Sequence, residues 1–179
     1  MSDEVFSNKT VSPQTLPDLA ELAFAPISAA YGKVNLGIVV TITTVLLLIA
    51  LGVRFQPFTV LPAPLFAVSY YGLMVIPIMG TLLAVYQWFA DKQIKYALRE
   101  QDLSLTQGLI FRRLVSQPIL RIQHIELKRG PLDRLAGLAK LQVFSAGGAG
   151  HTFEIPGLPI AQAQKIRQFI LAHKDIGAR

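Results

Sequence analysis

The chain has 179 residues, of which 52% are apolar and only 16% charged, against roughly a quarter charged in an ordinary soluble domain. The apolar excess is concentrated, because Arg54 is the only charged residue between Lys33 and Asp91, and this excludes a uniformly soluble globule. No cysteine is present, which excludes disulfides and thiolate chemistry, and the chain's net charge of +6 stems from a basic C-terminal part, where fourteen Lys/Arg face seven Asp/Glu from Asp91 onward.

Residues 1–30 read as a flexible N-terminal tail that is acidic through Asp3, Glu4, Asp18 and Glu21. Residues 31–90 read as a transmembrane hairpin. Its first span, about 34–53 (VNLGIVVTITTVLLLIALGV), rises 1.5 Å per residue as a helix and so crosses roughly 30 Å of hydrocarbon. A secretory signal is the rival reading, disfavoured by the long preceding segment, the missing basic n-region and the missing small-residue cleavage site. The second span, about 65–89, contains Pro77, whose missing N–H predicts a kink. Between the spans, Pro57, Pro62 and Pro64 prevent helix continuation and make the connection a turn.

Tyr31, Phe55, Phe58, Tyr86, Trp88 and Phe89 sit at the span ends, where amphipathic rings favour the headgroup level. Lys33 before the first span and Lys92, Lys95 and Arg99 after the second, against Arg54 alone in the turn, predict a multi-pass protein of the cell inner membrane with both termini cytoplasmic. Neither span holds an Asp, Glu, Lys, Arg or His, which argues against a pump or a coupled transporter. Thr41, Thr43, Thr44, Gly72 and Gly80 allow close helix packing, within the hairpin or in an oligomer.

Residues 91–179 change period. Alternation in Leu103-Ser104-Leu105-Thr106, Leu120-Arg121-Ile122, Ile125-Glu126-Leu127, Leu141-Gln142-Val143 and Phe153-Glu154-Ile155 predicts short strands with one buried face. The phase slips at Gln123-His124, where a bulge is expected. Turns are expected at Gln107-Gly108, Ser116-Gln117-Pro118, Arg129-Gly130-Pro131 and Gly147–Gly150. From Pro159 to Ala172 the spacing of Ala163, Ile166, Phe169 and Ile170 predicts an amphipathic helix. The whole is an α+β membrane protein: a two-helix hairpin followed by a small antiparallel β-barrel or sandwich capped by a C-terminal helix.

Asp102-Leu103-Ser104-Leu105 to Gly108, Pro118 with Ile122-Gln123-His124-Ile125, Gly130-Pro131-Leu132 with Arg134, Gly137-Leu138, and Leu141-Gln142-Val143 leading to Ala146-Gly147-Gly148 resemble the bacterial PH-like domain of the YdbS-like membrane proteins. The resemblance runs from about Phe24 to Ala172 and includes the two preceding spans. It implies a PH-like fold at the membrane and an envelope-related process, and it transfers no catalytic residue. Pro118, Gly130, Pro131, Arg134 and Gly137 are the motif positions, with Arg134 expected to pair with backbone carbonyls or Asp133.

The glycines at 147–150 lack the Lys-Ser/Thr ending of a phosphate loop, and His124, His151 and His173 lack metal-ligand spacing, so no cofactor or metal is expected. No nucleophile elbow or catalytic constellation is visible. An enzyme would need to gather His124, Glu126 and Asp133. Candidate binding residues are Arg112, Arg113, Arg121, Lys128 and Arg129, read either as one patch for lipid headgroups or a partner, or as solvated charges on polar strand faces. The expected function is a membrane-anchored binding or scaffold module contacting membrane lipids or protein, with a structural subunit of a homo- or hetero-oligomeric membrane complex and an unrecognised enzyme as alternatives. Few aromatics interleave the basic residues, so nucleic acid is not an expected partner.

Overall fold

The structure, a computed structural model, describes residues 23–57, 62–145 and 153–177. In chain order these form β1 (Ala25–Pro26), α1 (Ala29–Phe55), α2 (Ala63–Asp91), β2 (Lys95–Leu98), β3 (Asp102–Gln107) and β4 (Arg113–Pro118). A 3-10 turn (Ile119–Arg121) follows, then β5 (Ile122–Lys128), α3 (Pro131–Leu135), β6 (Leu138–Ser145), β7 (Phe153–Pro159) and α4 (Ile160–Gly177). Most of the expected acidic tail and the glycine turn at 147–150 lie outside the described residues.

The apolar runs become two long helices. Ser28 caps α1 by accepting from the Ala30 N–H at 3.3 Å, and Pro62 and Pro64 open α2, where their missing N–H groups cost nothing. At 27 and 29 residues, each exceeds the roughly 20 needed to span hydrocarbon. No residue of α1 is fully buried, and a long apolar helix whose outer face is left uncovered by protein is suited to lipid. The helix continues through Pro77, and Thr81 donates its hydroxyl to the Pro77 carbonyl at 2.8 Å. The pair packs through small residues: a Cβ on Gly80 would overlap the Thr43 side chain. Those two positions are therefore spent inside the hairpin.

The strands form two antiparallel sheets, β1-β2-β3-β4 and β5-β6-β7. No closed barrel forms among the described strands, and the architecture is α+β with a two-sheet sandwich. Pro118 ends β4 and leads into the 3-10 turn, which interrupts the ladder between the sheets. The expected phase slip is present as a register shift between Ile122 and His124 opposite β6.

One apolar cluster joins both sheets to α4. Tyr96, Leu103 and Leu105 come from the first sheet, Ile125, Leu141, Val143 and Ile155 from the second, and Ala163, Ile166 and Ile170 from the helix. Each fully buried aliphatic side chain contributes about 1.5–3 kcal/mol, so Leu141→Ala alone would cost roughly 2–5 kcal/mol. The Tyr96 hydroxyl accepts from Gln162 of α4, and burial pushes its phenol above the ordinary value while that hydrogen bond opposes the shift. The Ser104 hydroxyl meets its cross-strand partner Ser116 at 2.7 Å and Asp102 at 2.9 Å, which explains a buried serine between two core leucines.

Hairpin and sandwich are bound together. Ala25 and Pro26, placed in the tail by the sequence reading, instead pair with Tyr96 and Lys95 of β2. Tyr31, expected in the aromatic belt, packs on Gly157 of β7, which takes a left-handed φ of +64° and has no room for a Cβ against that ring. The Ser28 N–H donates to the Gly157 carbonyl at 3.0 Å.

Candidate functional site

The candidate site is the collar where strand ends meet the hairpin. Its polar anchor joins the helices themselves: Asn35 Nδ2 of α1 donates to Asp91 Oδ2 at the end of α2 at 3.0 Å, and Gln87 Nε2 donates to Asp91 Oδ1 at 3.3 Å. Asp91 is 8% exposed, so these amides replace water at a carboxylate that has no ion-pair partner among the described residues. Beside it, a hollow of about 290 Å³ is lined by Ile27, Ser28, Lys33, Trp88, Asp91 and Lys92. The Lys92 ammonium lies 4.4 Å from the centre of the Trp88 ring, a cation held over an aromatic face at the helix end.

The β3–β4 turn completes the collar. Gly108 has φ +106°, and a Cβ there would overlap the Phe111 carbonyl, so the bend needs glycine. This geometry leaves Ile110 and Phe111 72% and 89% exposed at the tip, immediately before Arg112 and Arg113. Phe111, Gly108 and Arg113 line a hollow with Ala90, Asp91 and Ile94, so the turn abuts the end of α2. Arg112 lines a neighbouring hollow with Phe24, Gln93 and Lys95. Neither arginine has an ion pair among the described residues.

The five candidate cations do not form one patch. Arg112 and Arg113 are together at the collar but, as successive residues, line different hollows. Lys128 pairs with Glu126 at 3.6 Å on the outer face of the second sheet, where His124 also reaches Glu126 at 3.3 Å and Lys140 reaches Glu154 at 3.9 Å. Arg129 turns inward and donates Nε to the Leu138 carbonyl at 2.9 Å, clasping the segment that carries α3. Arg121 lies at the opposite end of β5 from Lys128, a seven-residue strand away, or roughly 20 Å.

The motif positions do separate work. Pro118 ends β4, Gly130 and Pro131 start α3, and Gly137 takes φ +68° while its carbonyl accepts from the Ile160 N–H at 3.1 Å. Arg134 is exposed and makes no bond to Asp133 or to a backbone carbonyl among the described residues, whereas Arg129 does contact a carbonyl. Asp133 is buried and accepts from the Gly130 N–H at 3.0 Å. That commitment also dissolves the conceivable His124, Glu126 and Asp133 site, since the first two form an exposed pair of their own. Among the described residues no group of three or more His, Asp or Glu is placed to hold a metal ion.

Sequence reasoning missed Ile110 and Phe111, although an apolar run beside two arginines in a turn was the available signal. It also missed Asn35, a polar residue just inside a span whose partner lies 56 positions away.

No solved structure matches the chain. A curated relative, the UPF0699 transmembrane protein YdbS of Bacillus subtilis (strain 168), is 26% identical over 76 residues, covering 42% of this chain and 46% of that protein. The chain thus spans about half the length of the relative it matches. The model of the family described as Bacterial PH domain matches residues 22–174, which takes in β1, the hairpin and both sheets, and the chain belongs to that family.

Proposed function

We propose that the chain is a membrane-anchored, non-catalytic PH-like module that binds anionic lipid headgroups at the cytoplasmic leaflet of the bacterial inner membrane, as part of an envelope-related process. The observation that carries this reading is the β3–β4 turn: two exposed apolar side chains, Ile110 and Phe111, followed by two arginines without an ion pair among the described residues, next to the end of a lipid-facing helix. Apolar tips enter the headgroup region while guanidinium groups meet phosphate, and each basic residue near an anionic surface contributes about 1 kcal/mol. Lys33, Lys92 and Lys95 stand on the same side of the hairpin, against Arg54 at the other end stacked 3.8 Å over Phe66. That asymmetry supports the cytoplasmic orientation.

The test uses the full chain, because β1 and α1 complete the sandwich. An environment-sensitive dye is attached at Ile110→Cys, the chain's only thiol, in proteoliposomes of phosphatidylcholine with increasing phosphatidylglycerol. Emission should shift toward an apolar environment as the anionic fraction rises, and the shift should weaken with salt as screening shortens to within about 10 Å. Arg112→Gln with Arg113→Gln removes about 2 kcal/mol of attraction, so the equilibrium constant for membrane contact at a given anionic fraction should fall roughly thirty-fold. Identical titrations in neutral and anionic membranes would refute the reading.

A further inference from the structure

We propose that α3 is a second membrane contact, a foot whose Leu132 and Leu135 lie among the acyl chains of the leaflet beside α1. The helix has only five residues, yet Leu135 is 86% exposed and Leu132 nearly half exposed, whereas leucines 138 and 141 immediately after it are buried in the core. Those two exposed side chains face a groove of about 520 Å³ whose other wall is α1, through Val34, Gly37, Ile38 and Ile42. No charged side chain lines this groove.

Its depth follows from the hairpin. Asn35 is level with Asp91 at the end of α2, because their side chains bond, and from there to Ile42 the helix rises about 10 Å, inside the half-thickness of a bilayer's hydrocarbon. The groove is thus a continuation of the lipid-facing surface of α1. That makes an acyl chain its fitting occupant. Polar groups on α3 are disposed accordingly: the one carboxylate, Asp133, is buried against the Gly130 N–H, and the one charged group left outside is the Arg134 guanidinium, free to reach lipid phosphate. Arg129, bonded to the Leu138 carbonyl, fixes the loop that aims the foot.

This inference rests on the hairpin crossing the bilayer and is independent of any headgroup preference. Its test therefore uses the full chain in neutral phosphatidylcholine, where failure of the anionic-lipid reading changes nothing. Nitroxide labels are placed singly at Leu135→Cys and Leu132→Cys, with Leu46→Cys on the exposed face of α1 as the lipid reference and Leu120→Cys, exposed on the 3-10 turn, as the water reference. Collision rates with oxygen, which concentrates in hydrocarbon, and with a water-soluble nickel chelate are compared. The labels at 135 and 132 should favour oxygen, like the label at 46, while the label at 120 favours nickel. Preference for nickel at both positions would overturn the proposal. So would shielding from both reagents, which would mark a protein partner or a second copy in the groove. Should one variant fail to insert, the other carries the same comparison.

Discussion

Gly157→Ala should loosen the sandwich from its anchor, and the structure sets the size of the effect. Gly157 has φ +64°, and placing an L side chain in that region costs roughly 1–2 kcal/mol. The new carbon would also sit against Tyr31, 2.5 Å from its Cβ and 2.6 Å from its Cγ, and forcing such overlap in packed surroundings adds about 1–3 kcal/mol. A total of about 2–5 kcal/mol is a large part of the 5–15 kcal/mol that holds a typical domain together. The steric component can be isolated with Tyr31→Gly; alanine would not serve, because the Tyr31 Cβ is itself one of the obstructing atoms. In the double variant only the backbone component should remain, giving a coupling of about 1–3 kcal/mol. Urea unfolding of the full chain in mild detergent, read by pulse proteolysis, measures all four members of the cycle. A Gly157→Ala protein within about 0.5 kcal/mol of the parent, or no coupling to Tyr31, would refute the claim that the first turn of α1 is locked to β7.

Three further outcomes follow from the same contacts. Gly80→Leu should separate the two spans at Thr43 and lower thermal stability in detergent by about 1–3 kcal/mol or more, while Gly52→Leu, with nothing within 4 Å of its added carbon, should leave it unchanged. Asn35→Leu keeps the branched side-chain shape but strips Asp91 of a donor, so urea unfolding should show a loss of about 1–3 kcal/mol; an unchanged midpoint would mean that the clamp contributes nothing. Burial holds the Tyr96 phenol above the 10.0 of an exposed tyrosine, so the folded state keeps a proton that the unfolded chain gives up. Stability linked to it is complete below about pH 10 and falls as pH rises toward the folded value. Tyr96→Phe should remove that fall, read as the difference in urea midpoint between parent and variant from about pH 8 to 11.

Much of the architecture was legible because its signals are local. A long apolar run broken midway by Arg54 and three prolines reads as two spans, and it forms two long apolar helices. Leu103, Leu105, Leu141 and Val143 alternate as strand residues do, and Ala163, Ile166 and Ile170 fall on one helical face, all reaching the core. Even the shift beside His124 was visible as two adjoining polar residues. What escaped notice depends on partners distant in sequence. β1 is two residues long and contains a proline, and only its pairing with β2 across the whole hairpin makes it a strand. The cations escaped because the strand ends between them: Lys128 is the last residue of β5 and Arg129 the first beyond it, so a cluster in sequence divides into an outer ion pair and a clasp on the Leu138 carbonyl. Arg129 and Arg134 could not be told apart without knowing which one faces the Leu138 carbonyl.

The placement of β1 changes what the hairpin is to the sandwich. A domain hung after a membrane anchor on a single linker can swing, but here the hairpin is inserted between two adjacent strands of one sheet. Only Ile27 and Ser28 separate β1 from α1, and only residues 92–94 separate α2 from β2. The Ile27 N–H reaches the Ile94 carbonyl at 3.4 Å, so the ladder continues to the base of the hairpin. With Tyr31 seated on Gly157, the sandwich is held at three points and cannot rotate without breaking sheet pairing. Ile110 through Arg113 therefore stay at a fixed height relative to α2. In the proposed lipid-binding role, a turn so mounted would need little intrinsic affinity, because the anchor already supplies the effective concentration that a freely diffusing domain would have to gain through tight binding. On the lipid-binding proposal, an apolar tip and two arginines without an ion pair among the described residues would suffice on this mount, with no need for the enclosed, many-donor pocket of a soluble headgroup receptor.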